Sequence, residues 1–416
     1  MKRFFTILAS TGLLTLVRLS SGFIIAKIVA TYTGPSGLAM LGQLQGLIAI
    51  LFGIVTAPLG SGVVKYTAEY IADGYEACAP WWEASLKWLM LLLVMVVIPT
   101  LVLSGFISEI LFESSGFYWL VCLVAILLPL ASISALFVSI YNGMQDYKRY
   151  TILSSLSLVC ATISIITLTI YFGLYGVLVG ASIFSAVSGA FFICASLRQP
   201  WFKIKFWWGR ANQSHFKQIG GFALMSIVGA ICLPTSIVIV RSMLISYTGL
   251  EAAGHWQAAY KISEVYQAVI TVAVGTFYLP PLASARGRKE IFNQLLIFAK
   301  LLFPVVVMVF VFGSIFRDQI VVLLFSKEFD VAADFVMLQL LGDAAKIISS
   351  LFVYPIIAKK GVRVFVVGEL LYFLAITMSS YFFIRSFGVS GASLAYVMGS
   401  FIYLIYVAYS YKVFDF

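Results

Sequence analysis

The sequence predicts an all-α polytopic membrane protein with twelve spanning helices in two six-helix halves. Three features of its 416 residues point there. Hydrophobic residues make up 62% and charged residues only 11%, against roughly 25% charged in ordinary soluble domains. Apolar stretches of about 20 residues, the length that crosses a bilayer, recur along the whole chain. Cations also collect in alternate connections. A soluble enzyme and a disordered chain are both excluded, because a mean hydropathy of +1.03 leaves too little polar surface to face water.

The stretches fall at roughly 6–31, 38–64, 85–107, 117–141, 151–172 and 174–196, then 219–246, 252–281, 294–314, 332–357, 364–385 and 388–410. The first is too long for a signal-peptide core and carries Arg18 and Lys27, so it reads as a retained span. The connection Leu197 to Gln218 is the longest basic one, and it separates a half at 1–197 from a half at 219–416, with 198–218 as a cytoplasmic linker.

Cation placement sets the orientation. With the N-terminus inside, inner segments hold eighteen Lys and Arg, among them Lys2, Arg3, Lys65, Lys148, Arg149, Lys203, Arg210 and Arg363. Outer segments hold only Arg317, Lys327 and Arg385. Both termini are therefore expected on the cytoplasmic side, which also accounts for the net charge of +10 without a nucleic-acid partner. Most tryptophans lie near span ends, as interfacial anchors do. The five cysteines have no CxxC spacing and read as small hydrophobes.

A faint internal repeat is visible. Phe172-Gly173-Leu174-Tyr175-Gly176 and Phe387-Gly388-Val389-Ser390-Gly391 open the sixth and twelfth stretches at an offset of 215. Two halves related by that shift have the same orientation, a plan common in transporters.

Six cations (Arg18, Lys27, Arg241, Lys261, Lys300, Lys346) and three acids (Glu264, Asp343, Glu369) fall inside predicted spans. Each costs at least about 2.5–3.5 kcal/mol at a helix centre, so such groups face water, pair, or snorkel. Lys261 with Glu264, and Asp343 with Lys346, have the i,i+3 spacing of local ion pairs. Lys27, Arg241 and Lys300 are near enough to span ends to snorkel. Arg18 is midway along the first span, and the first half has no acid at that depth. The excess of three cations predicts a central chamber that attracts an anion, with a guanidinium suited to phosphate oxygens.

No GxxxxGK[ST] loop or other catalytic motif occurs, and His215 and His255 have no ligand-spaced neighbours. Neither a cofactor nor a metal is expected, and the chain reads as a translocase rather than an enzyme. Asn212-Gln213-Ser214 fits a glycosylation sequon but faces inward.

Thr33-Gly34-Pro35-Ser36-Gly37-Leu38, Gly62-Val63-Val64-Lys65-Tyr66, His255-Trp256-Gln257 and Leu341-Gly342-Asp343-Ala344-Ala345-Lys346 resemble the Wzx-type lipid-linked oligosaccharide flippases. The resemblance is to the branch that moves lipid III and O-antigen units, within the multidrug/oligosaccharidyl-lipid/polysaccharide (MOP) exporter superfamily. It implies a bacterial inner-membrane protein with two six-helix lobes around a central cationic cavity, carrying an undecaprenyl-diphosphate-linked oligosaccharide outward by alternating access. It places Arg18, Lys27 and Arg241 at basic positions and Glu264, Asp343, Lys346 and Glu369 at charged ones. Lys261 departs from the branch pattern. The resulting expectation is substrate contact by Arg18, Lys27, Arg241, Lys346, Lys300 and Lys261, and ion coupling by Glu264, Asp343 and Glu369. Expected partners are the lipid-linked oligosaccharide and membrane lipids, with a polysaccharide polymerase and a chain-length regulator as further candidates. Two rivals stand beside this reading: an ion-coupled exporter of cationic drugs, and a membrane glycan polymerase.

Overall fold

In hydrocarbon every backbone N–H and C=O needs a partner within the protein, which leaves helices or closed barrels as spanning structures. The computed structural model describes residues 2–209, 211–221 and 223–415, and no strand occurs among them. Arg210 lies outside the described residues, as do the side chains of Lys2 and Arg3.

The chain divides into two compact units, one comprising 1–32 and 43–231, the other 33–42 and 232–416. The first contains most of α1 (Lys2–Thr56), then α2 (Leu59–Tyr70), α3 (Tyr75–Val102), α4 (Ser104–Phe112), α5 (Tyr118–Gly143), α6 (Tyr147–Ser196) and the short α7 (Gln213–Gly220). Helix α8 (Ala223–Thr248) crosses the division. The second unit continues with α9 (Leu250–Ala273), α10 (Leu279–Ser284), α11 (Gly287–Ile315), α12 (Arg317–Leu324), α13 (Ala333–Ala358), α14 (Val362–Phe387) and α15 (Val389–Val413). Segment 33–42 joins the second unit by close backbone approach: a Cβ on Gly254 of α9 would lie 2.0 Å from the Pro35 carbonyl oxygen.

Among the described residues, ten helical segments are long and apolar enough to cross a membrane. Two of them, Gly12–Asp73 with 62 residues and Tyr147–Ser196 with 50, far exceed the roughly 20 residues a crossing needs. Each is interrupted by one left-handed glycine, Gly34 (φ 63°, ψ −167°) in α1 and Gly173 (φ 54°, ψ −131°) in α6. Only glycine takes such a conformation without strain. At Gly173 the chain doubles back. Gly180 packs on Ile165, although a straight helix would hold residues fifteen apart at about 22 Å.

These breaks recur at one offset. Gly34 pairs with Gly249 (φ 87°, ψ 167°), Gln145 (φ 59°) with Lys360 (φ 61°), and Gly173 with Gly388 (φ 58°, ψ −135°), each 215 residues apart. Past the last pair, a Cβ on Gly176 would come within 1.8 Å of the Leu168 carbonyl oxygen, and one on Gly391 within 2.1 Å of that of Phe383. The sequence repeat is thus a repeat of backbone geometry, and its Gly34–Gly249 member is carried by the tripeptides Tyr32-Thr33-Gly34 and Tyr247-Thr248-Gly249, which the sequence reading passed over.

The connection after α6 is packed against the helices of its own unit. Trp201 and Trp207 pack against Trp82 and Phe137, and Trp201 and Trp82 are fully buried. Glu83, also buried, accepts from the backbone N–H groups of Gly209 and Ala211 and pairs with Lys87 at 2.8 Å. Asn212 caps α7, with His215 completing the reciprocal cap, which gives the sequon residues a structural role. These side chains bury their aromatic faces against one another, which anchoring at an interface alone would not require. Of the cysteines, all free, Cys78 and Cys232 are buried and Cys194 is exposed.

Candidate functional site

The membrane-depth charges separate into groups with very different surroundings. Arg18 lies on the inward face of α1. Its helical neighbours at i−4, i+3, i+7 and i+11 are Leu14, Ser21, Ile25 and Val29, all buried. The opposite stripe of Leu13, Leu16 and Ile24 is exposed, Leu16 by 63%. Arg18 is nevertheless exposed, and it has no ion pair or hydrogen bond among the described residues. The guanidinium is thus open on an otherwise buried face and off the exposed apolar stripe. Lys27 continues the other stripe, at i+3 from Ile24, and is also exposed. Helix α1 runs through Gly22 without a non-helical residue, so no bend there brings the two cations together.

Arg241 is not a snorkelling side chain. It is buried at 2% exposure on α8, and its Nε and Nη2 donate to Gln257 Oε1 on α9 at 2.9 and 2.6 Å. Its guanidinium lies 6.0 Å from the Trp256 ring centroid. A Cβ on Gly42 would meet the Gln257 amide at 2.7 Å, so that glycine makes room for the arginine's partner.

Asp343 does not pair with Lys346, although the spacing predicts it. The carboxylate is buried at 1% exposure and is enclosed by neutral donors from neighbouring helices. The Tyr266 hydroxyl donates to Oδ2, while Gln267 Nε2 and the Tyr396 hydroxyl donate to Oδ1, the last at 2.6 Å. Short donors fit the space between α9, α13 and α15, whereas the Lys346 ammonium lies over the Tyr372 ring at 5.1 Å. Glu369 and Asp343 are the carboxylates within electrostatic reach of Lys346. Glu369 accepts one hydrogen bond, from Tyr403 at 3.2 Å.

The Lys261–Glu264 pair does form, at 2.7 Å, with Glu264 half exposed. Lys300 is exposed on α11 beside Leu296, Ile297 and Phe303, all exposed apolar residues. That setting is the snorkelling one, with the aliphatic stem along lipid-facing surface.

Sequence reasoning passed over Tyr266, Gln267, Tyr396 and Tyr403, because neutral hydroxyl and amide groups in a span raise no charge alarm. Their signal is spacing. Tyr266 and Gln267 fall one turn beyond Ser263, and Tyr396 and Tyr403 lie two turns apart on one face of α15.

The chain is 25% identical over 396 residues, with 94% of each chain covered, to the lipid III flippase of Escherichia coli (strain K12), and equally to that of Shigella flexneri. The fold matches an inward-facing multidrug resistance MATE family transporter of the MOP superfamily (TM-score 0.76, 16% identity, 96% of this chain and 97% of that one). It also matches the lipid II flippase MurJ in an inward closed conformation (TM-score 0.69, 16% identity, 98% and 87%). These relatives are named as transporters, not as enzymes. The family model described as polysaccharide biosynthesis protein matches residues 7–286, well over half of the sequence. This all-α membrane chain, with the MOP-superfamily fold, belongs to the polysaccharide biosynthesis protein family.

Proposed function

We propose that this protein flips a lipid-linked oligosaccharide across the bacterial inner membrane, from the cytoplasmic to the periplasmic face, by exposing one site alternately to the two sides. A headgroup of sugars and phosphates cannot cross hydrocarbon unaided, since every unsatisfied polar group costs several kcal/mol there. A path with a cation for the diphosphate lowers that barrier while the polyprenyl tail stays in lipid. Twelve crossings follow if the two broken segments each count twice, giving two six-helix lobes.

The observation that carries this reading is Arg18, a mid-span guanidinium exposed on a buried helix face with no carboxylate against it among the described residues. It is the group best placed to hold a diphosphate, while Lys27, on the opposite stripe of α1, is not placed to share that contact. Arg241 contributes by setting the α8–α9 packing through Gln257 rather than by contact. Among the acids, Glu264 is engaged by Lys261 and Asp343 by three neutral donors, so Glu369 beside Lys346 is the favoured group for a coupling proton or cation. An inside-negative potential already favours outward movement of a dianion, by about 2.3 kcal/mol per charge per 100 mV.

The test is flipping of an undecaprenyl-diphosphate oligosaccharide by Arg18→Ala in proteoliposomes. Activity is expected to fall at least tenfold with the protein still folded, and wild-type activity removes Arg18 from the mechanism. An ion-coupled exporter of cationic drugs is the second reading, favoured by the buried carboxylates of the second unit. A deletion strain separates the two: a flippase mutant accumulates complete lipid-linked units on the inner face, whereas an exporter mutant becomes drug-sensitive.

A further inference from the structure

Arg385 occupies the last turn of α14 and is exposed, yet it is held firmly. Its Nε and Nη2 donate to the Tyr247 hydroxyl at 3.0 and 2.7 Å. The guanidinium carbon lies 4.2 Å from the Tyr381 ring centroid and 5.1 Å from that of Tyr247. No carboxylate pairs with it among the described residues. Two neutral tyrosines therefore fix the guanidinium while its full positive charge is kept, and the ordering entropy of a long side chain is lost before any ligand arrives.

The surroundings are those of an amphiphile. Leu370, Leu374, Met378 and Phe382 form a stripe along α14 that is 45–64% exposed and leads up to Arg385 at the helix end. Aliphatic and aromatic surface at membrane depth, ending in a cation, complements a molecule with acyl chains and an anionic head.

The internal repeat supplies a control. At an offset of 215, Tyr247, Tyr381 and Arg385 correspond to Tyr32, Ile166 and Ile170. The first unit builds the same glycine reversal, Gly173 for Gly388, with apolar residues in place of the cation and one of its rings. The fold thus has no need of Arg385 at this turn. We infer that Arg385, clamped by Tyr247 and Tyr381, binds the headgroup phosphate of a membrane phospholipid whose acyl chains lie along α14. The site is independent of the transport reading, because it lies where the ends of α8 and α14 meet and shares no residue with Arg18 or the acids.

The test is native mass spectrometry of the full chain in detergent, titrated with phosphatidylglycerol. Wild type is expected to retain one tightly held lipid, and Arg385→Gln to hold it roughly tenfold more weakly, the scale of a lost charge-assisted hydrogen bond. Diacylglycerol, which lacks the phosphate, and glycerol phosphate, which lacks the tails, should each fail to displace it. Grafting the clamp into the first unit, Ile166→Tyr with Ile170→Arg beside the native Tyr32, should add a second tight lipid whether or not the Arg385 variant folds well. Equal retention by Arg385→Gln, displacement by diacylglycerol, or a graft that adds nothing overturns the proposal.

Discussion

The two units share the Gly173–Gly388 reversal at an offset of 215 and both bond span hydroxyls locally, but the second adds polar contacts between its spans. In the first unit the hydroxyls within the spans are bonded locally: Thr100, Ser139, Thr162, Ser164, Thr169 and Ser182 each donate to the carbonyl one turn earlier. Its side-chain bonds between elements, such as Trp82 to Thr67 and Tyr141 to Ser196, gather near the α6–α7 connection. The second unit also has such bonds at helix ends, as from Lys359 to the Ala285 carbonyl, but it adds others within the spans, where Arg241 meets Gln257, Asp343 meets three donors and Glu369 meets Tyr403. A fold that one unit builds with self-satisfied hydroxyls does not require the charges of the other. Those charges carry a desolvation cost that only function or tight specification offsets.

The largest expected effect tests the shared part. Gly176→Ala and Gly391→Ala both place a methyl on backbone, 1.8 Å from the Leu168 oxygen and 2.1 Å from the Phe383 oxygen. Neither backbone can withdraw without opening a helix pair. Both variants should fail to yield monodisperse protein on size-exclusion chromatography. Survival of one alone would show that the two reversals are not equivalent.

The next effect separates the two arginines. Arg241→Leu removes a buried donor pair and leaves Gln257 unsatisfied, a loss of about 1–3 kcal/mol or more, so its thermal unfolding in detergent should drop by several degrees. Arg18→Leu removes an exposed charge without a partner and should leave thermal unfolding near wild type while abolishing flipping. If the outcomes are exchanged, the functional and structural cations have been assigned to the wrong units.

How much of this was legible in the sequence follows the same division. Hydrophobic length and glycine position are written locally, so the spans, the Gly173–Gly388 repeat and the absence of strands could be read directly. The Lys261–Glu264 pair could be read too, since i,i+3 geometry is a property of one helix. Asp343 with Lys346 could not. The carboxylate's partners Tyr266, Gln267 and Tyr396 come from two other helices, 76 to 77 residues before it and 53 after it. Trp82, Trp201 and Trp207 misled for a related reason: a tryptophan near a span end serves an interface or a core alike, and only the path of the connection decides.

Asp343→Asn sharpens the comparison at intermediate size. The amide keeps the volume but replaces one acceptor oxygen with an NH2 donor, so at least one hydrogen of Tyr266, Gln267 or Tyr396 loses its acceptor. A destabilisation of about 1–2 kcal/mol is expected, read as a lower unfolding temperature. No equivalent site exists for this change among the described residues of the first unit's spans, because Glu83, its buried carboxylate, holds the connection after α6.

Lys261→Met should do least. Its ion pair with Glu264 is real at 2.7 Å, but the glutamate is half exposed, and pairs that water can reach contribute at most about 1 kcal/mol. Methionine also retains the stem's packing on α9. Stability should therefore stay within about 1 kcal/mol of wild type by thermal unfolding. Flipping then becomes the informative readout. If Lys261 only neutralises Glu264, transport stays near the wild-type rate. A tenfold loss of transport with unchanged stability would move Lys261 from the neutralised set to the substrate path and give the second unit a diphosphate contact of its own.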